Sequence, residues 1–225
     1  SKYYFDMKNL ISYPSLLKEI GDEIYNIIMK EEVNLICGVP IGGIPLCTYI
    51  STTYNIPMII VRNEKKTYGT TKQIEGKYNK DDKCIIIEDV ITTGSSIQNI
   101  VNILEDKVNI ISSVVIIDRQ QGYNLSIPLK SLITKTDITR FLLNKIMKDK
   151  KSRLCFSADI YDIKEILPML DKVGPYIVIC KLHLDCFSYE NNEELRNSLI
   201  MLSNKHNFLL MEDRKFVDIS SIVRL

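Results

Sequence analysis

Short apolar runs alternate with longer amphipathic stretches along almost the whole chain. This alternation is typical of a parallel β-sheet whose strands are joined by crossover helices. The first part of the chain is predicted to form helices over 16–29, 42–54 and 96–105. The predicted strands of this part are 33–37, 57–62, 84–89 and 110–118. The polar segment 63–82 lacks apolar periodicity, so a mobile loop with hairpin character is expected there.

The same rhythm restarts after a lysine-rich stretch, 144–152 (NKIMKDKKS), which we interpret as a short linker. Strands are predicted over 153–160, 176–183 and 207–212, and helices over 161–172 and 192–206. These are about three βα units, whereas a complete TIM barrel has eight in roughly 250 residues. The predicted organisation is an α/β parallel-sheet domain over 1–143, the linker, and the first units of a barrel over 153–225.

Composition excludes some classes of protein. The hydrophobic fraction of 45% can supply a core, and the net charge of +1 provides no field that attracts nucleic acid or an acidic membrane surface. No apolar run approaches the ~18 residues of a membrane-spanning helix, and no signal peptide is evident. We therefore expect a cytoplasmic protein without a nucleic-acid or membrane partner.

The six cysteines are scattered along the chain, and there are only two histidines. No cysteine pair has the spacing of zinc ligands, so no metal held by protein side chains alone is expected. Buried free thiols are expected rather than disulfides.

The most informative motif is residues 84–96, CIIIEDVITTGSS. An apolar run without polar alternation predicts a buried parallel strand, and Glu88 and Asp89 follow it at the sheet edge where such folds bind ligands. The hydroxyls and backbone N–H groups of the turn that follows are suited to a phosphate at a helix N-terminus. The simpler alternative is an ordinary strand–turn–helix with a Ser/Thr cap.

This motif resembles the phosphoribosyl diphosphate (PRPP) signature of type I phosphoribosyltransferases. Residues 37–46 (CGVPIGGIPL), 62–76 (RNEKKTYGTTKQIEG) and 116–122 (IIDRQQG) are similar to the diphosphate loop, the basic catalytic loop and the orotate-binding motif of orotate phosphoribosyltransferases. The resemblance implies a homodimer acting on orotate and PRPP, with Mg²⁺ held mainly by PRPP itself. The resemblance implies that PRPP is bound by three groups of residues: Glu88 and Asp89 for the ribose hydroxyls, Thr92, Thr93, Gly94, Ser95 and Ser96 for the 5′-phosphate, and Gly42 and Gly43, with free N–H groups, for the diphosphate. The implied catalytic residues are Arg62, Lys66 and Tyr68. The implied orotate-binding residues are Arg119, Tyr4 and Phe5.

Without the resemblance, segment 62–72 would be interpreted as a solvated basic loop, and Arg119 as a surface residue paired with Asp118. Two departures from the family pattern stand out. Asn63 replaces a lysine beside the catalytic arginine, and the family segment that normally precedes Tyr4 is absent.

Three later motifs, RLCFSADI, ICKLHLDC and LLMEDRKFVDI, resemble the opening motifs of orotidine monophosphate decarboxylases, which use no cofactor. The order of the two resemblances is that of bifunctional UMP synthases, here truncated at both ends. The implied residues are Lys181, Asp213, Lys215 and Asp218 for catalysis, and Ser157 and Asp159 for substrate binding. The alternative to a catalytic role for Asp213–Lys215 is a surface salt-bridge cluster. His183 is expected to be a packed residue at the end of a strand rather than a general base.

The sequence therefore predicts an orotate phosphoribosyltransferase of UMP biosynthesis attached to an incomplete decarboxylase. Two alternatives remain open. One is a PRPP-binding module without turnover. The other is a partial or decayed gene product whose complete form performs both reactions.

Overall fold

A computed structural model describes residues 7–62, 73–160, 162–183 and 192–213. The chain divides into two compact units, Ser1–Ile138 and Thr139–Leu225. The two units are described separately below.

A six-stranded sheet with the strand order β3-β2-β1-β4-β5-β6 forms the first unit. All neighbouring strands are parallel except β3, which runs antiparallel to β2. The strands are β1 Leu35–Gly38, β2 Met58–Val61, β3 Ile74–Glu75, β4 Lys83–Ile91, β5 Asn109–Asp118 and β6 Leu129–Thr134. The helices are α1 Pro14–Ile28, α2 Gly43–Tyr54 and α3 Ser95–Leu104, with short 3₁₀ turns at Lys8–Ser12 and Met29–Glu31.

Helices cover both faces of this sheet, which explains the unbroken apolar run in β4. Cys84 and Ile86 pack in one core cluster with residues of α3, whereas Ile85 and Ile87 pack in a second cluster with residues of α1 and α2. Because side chains alternate along a strand, a strand between two helical layers must be apolar at every position. The predicted doubly covered parallel sheet is confirmed.

Two of the observed strands depart clearly from the prediction. β4 continues past Asp89 to Ile91, and the structure adds β6, which the prediction lacked. β3 pairs with β2 through Ile60–Glu75 and Val61–Ile74, so the hairpin character expected for 63–82 is confirmed at the stem.

The second unit contains three parallel strands in the order β7-β8-β9, separated by helices. Its elements are β7 Leu154–Ala158, α5 Ile163–Val173, β8 Ile177–Leu182, α6 Asn192–His206 and β9 Leu209–Glu212. One hydrophobic cluster, which includes Leu170, Leu195 and Phe208, lies between the strands and the helices. This is the βα rhythm predicted for the start of a barrel.

Helix α4, Lys135–Lys150, begins in the first unit and ends in the second. Most of the segment predicted as a linker, 144–152, is therefore helical. Lys150 Nζ donates to the carbonyl oxygens of Gly174 (2.8 Å) and Ile177 (2.7 Å), which anchors the end of α4 beside the start of β8. The predicted domain boundary itself stays a prediction.

Cysteine burial follows the expectation in part. Cys37, Cys47, Cys84 and Cys180 are buried free thiols, whereas Cys155 is exposed on β7. Burial raises the pKa values of Cys37 and Cys180 to about 12. Within the described ranges, no helix has both the length and the apolar character needed to cross a membrane.

Candidate active site

The candidate site lies where the sheet reverses its strand order. From β1 the chain passes through α2 to β2 on one side, and from β4 it passes through α3 to β5 on the other. Crevices at such switch points, outside the carboxyl ends of the strands, are where open α/β sheets bind ligands. The last paired residues of β1 and β4 are Gly38 and Ile87, and Val39 N–H then donates to Ile87 O at 2.9 Å. The next residues of β4 therefore lie just past the point where β1 leaves the sheet.

Glu88 and Asp89 are those next residues. The pKa of Glu88 is raised to about 7, mainly by burial and also by the negative charge of Asp89, whereas a hydrogen bond with the Ser96 side chain lowers it. Asp89 Oδ1 accepts the N–H of Val90 at 2.8 Å. The pair can accept hydrogen bonds from sugar hydroxyls, and Glu88 changes protonation near neutral pH.

Two glycines let the loop after β1 approach this acidic pair. A Cβ atom on Gly42 would overlap the Asp89 carboxyl group, and one on Gly43 would overlap the carbonyl oxygen of Ile87. The prediction of a free N–H is wrong at Gly43, because this group donates to Val39 O at 2.9 Å in the turn that starts α2. Close packing against β4 therefore explains the glycine at this position.

The turn after β4 contains the residues that were predicted to bind phosphate. Gly94 adopts a left-handed conformation (φ 80°) and precedes α3, whose first turn contains Ser95 and Ser96 and has no side-chain cap. Thr93 Oγ1 lies 3.3 Å from Ser95 Oγ. The first N–H groups of a helix have no intrahelical acceptor, so this end of α3 is suited to an anion.

Two arginines follow the neighbouring strands at the same edge of the sheet. Arg62 follows β2, and its Nη2 lies 2.5 Å from Glu75 Oε1. Arg119 follows β5, and its backbone N–H donates to Ile91 O at 3.2 Å. Of the other residues predicted for the transferase site, Lys66, Tyr68, Tyr4 and Phe5 lie outside the described residues.

Polar side chains also meet at the carboxyl ends of the strands in the second unit. Lys181 Nζ lies 3.0 Å from Asp213 Oδ2, and this hydrogen bond raises the pKa of Lys181. The buried ring of His183 contacts Asp213 O through Nδ1 (2.5 Å), and its Nε2 lies 3.2 Å from Asp159 Oδ1 without hydrogen-bond geometry.

Ser157 Oγ donates to Asp159 Oδ2 at 3.2 Å. The structure therefore brings together four of the residues predicted for the decarboxylase site, whereas Lys215 and Asp218 lie outside the described residues.

Comparison with known families identifies the fold. A family model described as "Phosphoribosyl transferase domain" matches residues 6–142, more than half of the chain. The chain belongs to the phosphoribosyltransferase family. The model of the "Orotidine 5'-phosphate decarboxylase / HUMPS family" matches residues 152–225 of this phosphoribosyltransferase. Both resemblances in the sequence, and their order, are confirmed.

Individual relatives point in the same direction. Uridine 5′-monophosphate synthase from Bos taurus is 30% identical over 100% of this phosphoribosyltransferase, which spans 60% of that relative's length. Orotate phosphoribosyltransferase from Methanosphaera stadtmanae is 42% identical to this chain. The alignment covers 54% of this chain and 69% of that relative's length. The crystal structure of orotate phosphoribosyltransferase from Aeropyrum pernix superposes with a TM-score of 0.57 at 27% identity, covering 63% of this chain and 84% of that one.

The structure adds contacts to the phosphoribosyltransferase site that were not predicted. Glu75 pairs with Arg62, and Gln98 accepts the N–H of Ser126 at 2.9 Å. The second contact holds the β5–β6 loop so that Leu125 packs beside Gly94. No sequence signal pointed to Glu75 or to Gln98, because the register between β2 and β3 is known only from the structure.

Proposed function

We propose that the first unit transfers the phosphoribosyl group of PRPP to orotate and produces orotidine 5′-monophosphate and diphosphate, a step of UMP biosynthesis. The observation that carries this proposal is the acidic pair Glu88–Asp89 beside the uncapped N-terminus of α3, at the switch point of the sheet. The similarity to orotate phosphoribosyltransferases supports orotate as the acceptor.

The reaction breaks the bond between the anomeric carbon and the diphosphate oxygen, and the electron pair leaves with diphosphate. Orotate nitrogen then bonds to the same carbon and gives up its proton. The α3 N-terminus holds the 5′-phosphate, while Glu88 and Asp89 orient the ribose through its hydroxyls. Holding both ends of the sugar fixes the reacting carbon where the developing cation is protected from water.

The remaining roles concern the two other charged groups of the substrates. Arg62 and Lys66 neutralise charge that develops on the leaving diphosphate, and Tyr68 is a further candidate catalytic residue of the same basic loop. Arg119 receives the orotate carboxylate in a two-point contact, for which a planar guanidinium is suited. Tyr4 and Phe5 contact the orotate ring, and two copies of the chain form a homodimer.

Mg²⁺ fits this site as part of the substrate. Within the described ranges, no group of three or more His, Cys, Asp or Glu side chains is arranged to hold a metal ion. Mg²⁺ prefers phosphate oxygens and water, so the diphosphate of PRPP would hold it near Asp89 and Glu88. When bound, the ion neutralises negative charge on the leaving group.

The second unit supports a second candidate function. The pair Lys181–Asp213, with Asp159 nearby, has the charge alternation expected of a decarboxylase that works without a cofactor. We propose that this unit contributes to orotidine 5′-monophosphate decarboxylation in the whole protein, with Ser157 contacting the substrate and Lys215 and Asp218 completing the site.

The test is to mix the protein with orotate, PRPP and Mg²⁺, follow the ultraviolet absorbance of orotate and identify the products by chromatography. Accumulation of orotidine 5′-monophosphate supports the transferase, and Asp89→Asn should abolish most of it. UMP among the products supports the second candidate as well. Binding of PRPP without loss of orotate would contradict the proposal and favour a PRPP-binding module.

A further inference from the structure

Glu75 holds the side chain of Arg62 from the neighbouring strand. Val61 pairs with Ile74, and the N–H of Arg62 donates to Gln73 O at 2.9 Å, so this ladder extends one residue past the end of β2. Glu75 lies on β3 at a position diagonal to Arg62, within reach of a long side chain on the same face. Its Oε1 lies 2.5 Å from Arg62 Nη2.

The other end of the guanidinium is buried and has no hydrogen-bond partner among the described residues. Arg62 Nη1 is inaccessible to solvent and makes no hydrogen bond with any described residue. A buried charged donor without an acceptor is costly, since its hydrogen bonds to water are lost without replacement. A ligand that brings an anionic oxygen to this nitrogen would remove that cost.

The position of Arg62 decides which part of a ligand it would contact. β2 lies beside β1, with Ile60 paired to Gly38, the last residue of β1. Arg62 therefore lies two residues beyond the end of β1, at the edge where the loop 39–42 leaves the sheet. That loop is the proposed diphosphate loop, so the neighbouring anion is the diphosphate of PRPP.

We propose that Glu75 is a positioning residue for diphosphate recognition. It fixes the Arg62 guanidinium through Nη2, so that Nη1 is presented to a diphosphate oxygen. The backbone after Glu75 is itself closely packed. Gly76 has φ 103°, and a Cβ atom there would lie 2.8 Å from Met58 O. This inference rests on the proposed transferase function.

The experiment compares Glu75→Ala and Glu75→Gln with the wild-type protein. Glutamine keeps an oxygen that accepts from Arg62, whereas alanine removes it. The matched control is Glu32→Gln, because Glu32 also forms an exposed ion pair, with Lys83 at 2.9 Å, but precedes β1 at the opposite edge of the sheet. Calorimetry measures binding of PRPP and of inorganic diphosphate with Mg²⁺, kinetics give KM for each substrate, and thermal melting reports folding.

We expect Glu75→Ala to weaken PRPP and diphosphate binding about tenfold or more and to raise the KM for PRPP in parallel. The KM for orotate should stay within about twofold of wild type, because Glu75 acts only through Arg62. Glu75→Gln should recover most of the affinity, and Glu32→Gln should bind as wild type does.

Unchanged or tighter binding of diphosphate by Glu75→Ala would overturn the inference, since Glu75 would then compete with the ligand for Arg62. An equal rise of both KM values together with a lower melting temperature would overturn it too, as a purely structural role. If wild type binds PRPP without turnover, only the transferase proposal fails, and the binding comparison still decides the role of Glu75. If wild type binds neither PRPP nor diphosphate, both fail.

Discussion

Gly43 sets how closely the loop after β1 approaches β4. A methyl group at this position would overlap the carbonyl oxygen of Ile87, a backbone atom that cannot rotate away as a side chain does. A methyl group at Gly42 would overlap the Asp89 carboxyl group, which is a side chain and would have to move. The geometry of the acidic pair thus depends on Gly42 and Gly43 having no side chain.

Gly43→Ala should lower the free energy of unfolding of the first unit by about 1–3 kcal/mol, the usual cost of overpacking. Alanine has a higher helix propensity than glycine. Any loss of stability at this first residue of α2 therefore comes from the contact with β4. Urea denaturation followed by circular dichroism measures it. Ile41→Ala, in the exposed part of the same loop, is the control, and equal stability of Gly43→Ala and wild type would contradict the assignment.

Glu88 should make stability depend on pH. Its pKa in the folded protein is about 7, mainly because of burial, against an ordinary value of 4.5. Between these pH values the folded state keeps a proton that the unfolded chain has lost, so the free energy of unfolding falls as pH rises through this window.

The prediction is that Glu88→Gln removes this dependence. The variant should gain stability relative to wild type by about 1–3 kcal/mol between pH 5 and pH 8, since one pKa unit corresponds to about 1.4 kcal/mol. Urea midpoints across this range measure the difference, and Glu105→Gln, on the exposed end of α3, is the control. A constant difference between variant and wild type at all pH values would show that Glu88 has no raised pKa.

At the scale of elements, strands that lie inside the sheet were predicted well from the sequence. β1, β2 and β5 were predicted to within two residues because each contains a run of apolar residues, although Ser112 and Ser113 interrupt the run in β5. β6 was not predicted, since no residue of this edge strand is buried and the Lys130–Ser131 pair interrupts its apolar positions.

Helix α4 was missed for a related reason. Ile146 is its only fully buried residue within the described part of the chain, so the apolar stripe that identifies a helix is weak. β4 was predicted to end at Asp89 because its apolar run leads into two carboxylates that are followed by a turn motif. The strand continues to Ile91 since β5 pairs with it along one side, which no local pattern reveals.

The prediction of site residues from local sequence patterns is limited in the same way. Glu88, Asp89 and Gly94 could be located because they follow one recognisable strand. Glu75 could not, because its role depends on the register between two strands and on the conformation of the Arg62 side chain.

One carboxylate of α1 accepts hydrogen bonds from two tyrosines of α2. Asp22 Oδ1 accepts from Tyr49 Oη at 2.5 Å and from Tyr54 Oη at 2.6 Å, and these hydrogen bonds lower the pKa of Asp22. A lowered pKa contributes stability above the ordinary value of 3.8, and that contribution is lost as pH falls through the folded value.

Asp22→Asn should therefore lower the melting temperature by a few degrees at pH 7, and the difference from wild type should shrink as the pH falls below 3.8. Calorimetric melting across this pH range measures it. Glu23→Gln, the exposed neighbour on the same helix, should have little effect. A deficit of Asp22→Asn that grows toward low pH would contradict this account.

At the scale of the whole molecule, each unit has its own hydrophobic clusters, so the two can differ in stability. Lys150, the last residue of α4, contacts the second unit through the carbonyl oxygens of Gly174 and Ile177 and lies 5.8 Å from the centre of the Phe208 ring.

Lys150→Met should destabilise the second unit by about 1–3 kcal/mol, because two carbonyl groups lose a charged donor. Hydrogen exchange measured by mass spectrometry should show faster exchange in β8 and unchanged exchange in β4. Lys148→Met, at an exposed position of the same helix, should leave both unchanged. Faster exchange in β4 would show that Lys150 also acts on the first unit.

Among the described cysteines, one is exposed and four are buried. The unfolding of each unit can therefore be followed by thiol labelling. In a variant with Cys186 replaced by serine, a thiol-reactive dye should attach first at Cys155, because the other thiols are inaccessible and their burial disfavours the reactive thiolate. Cys180 then becomes available when the second unit opens, and Cys37, Cys47 and Cys84 when the first one does. The order in which the dye appears at these positions in increasing denaturant would rank the two units by stability.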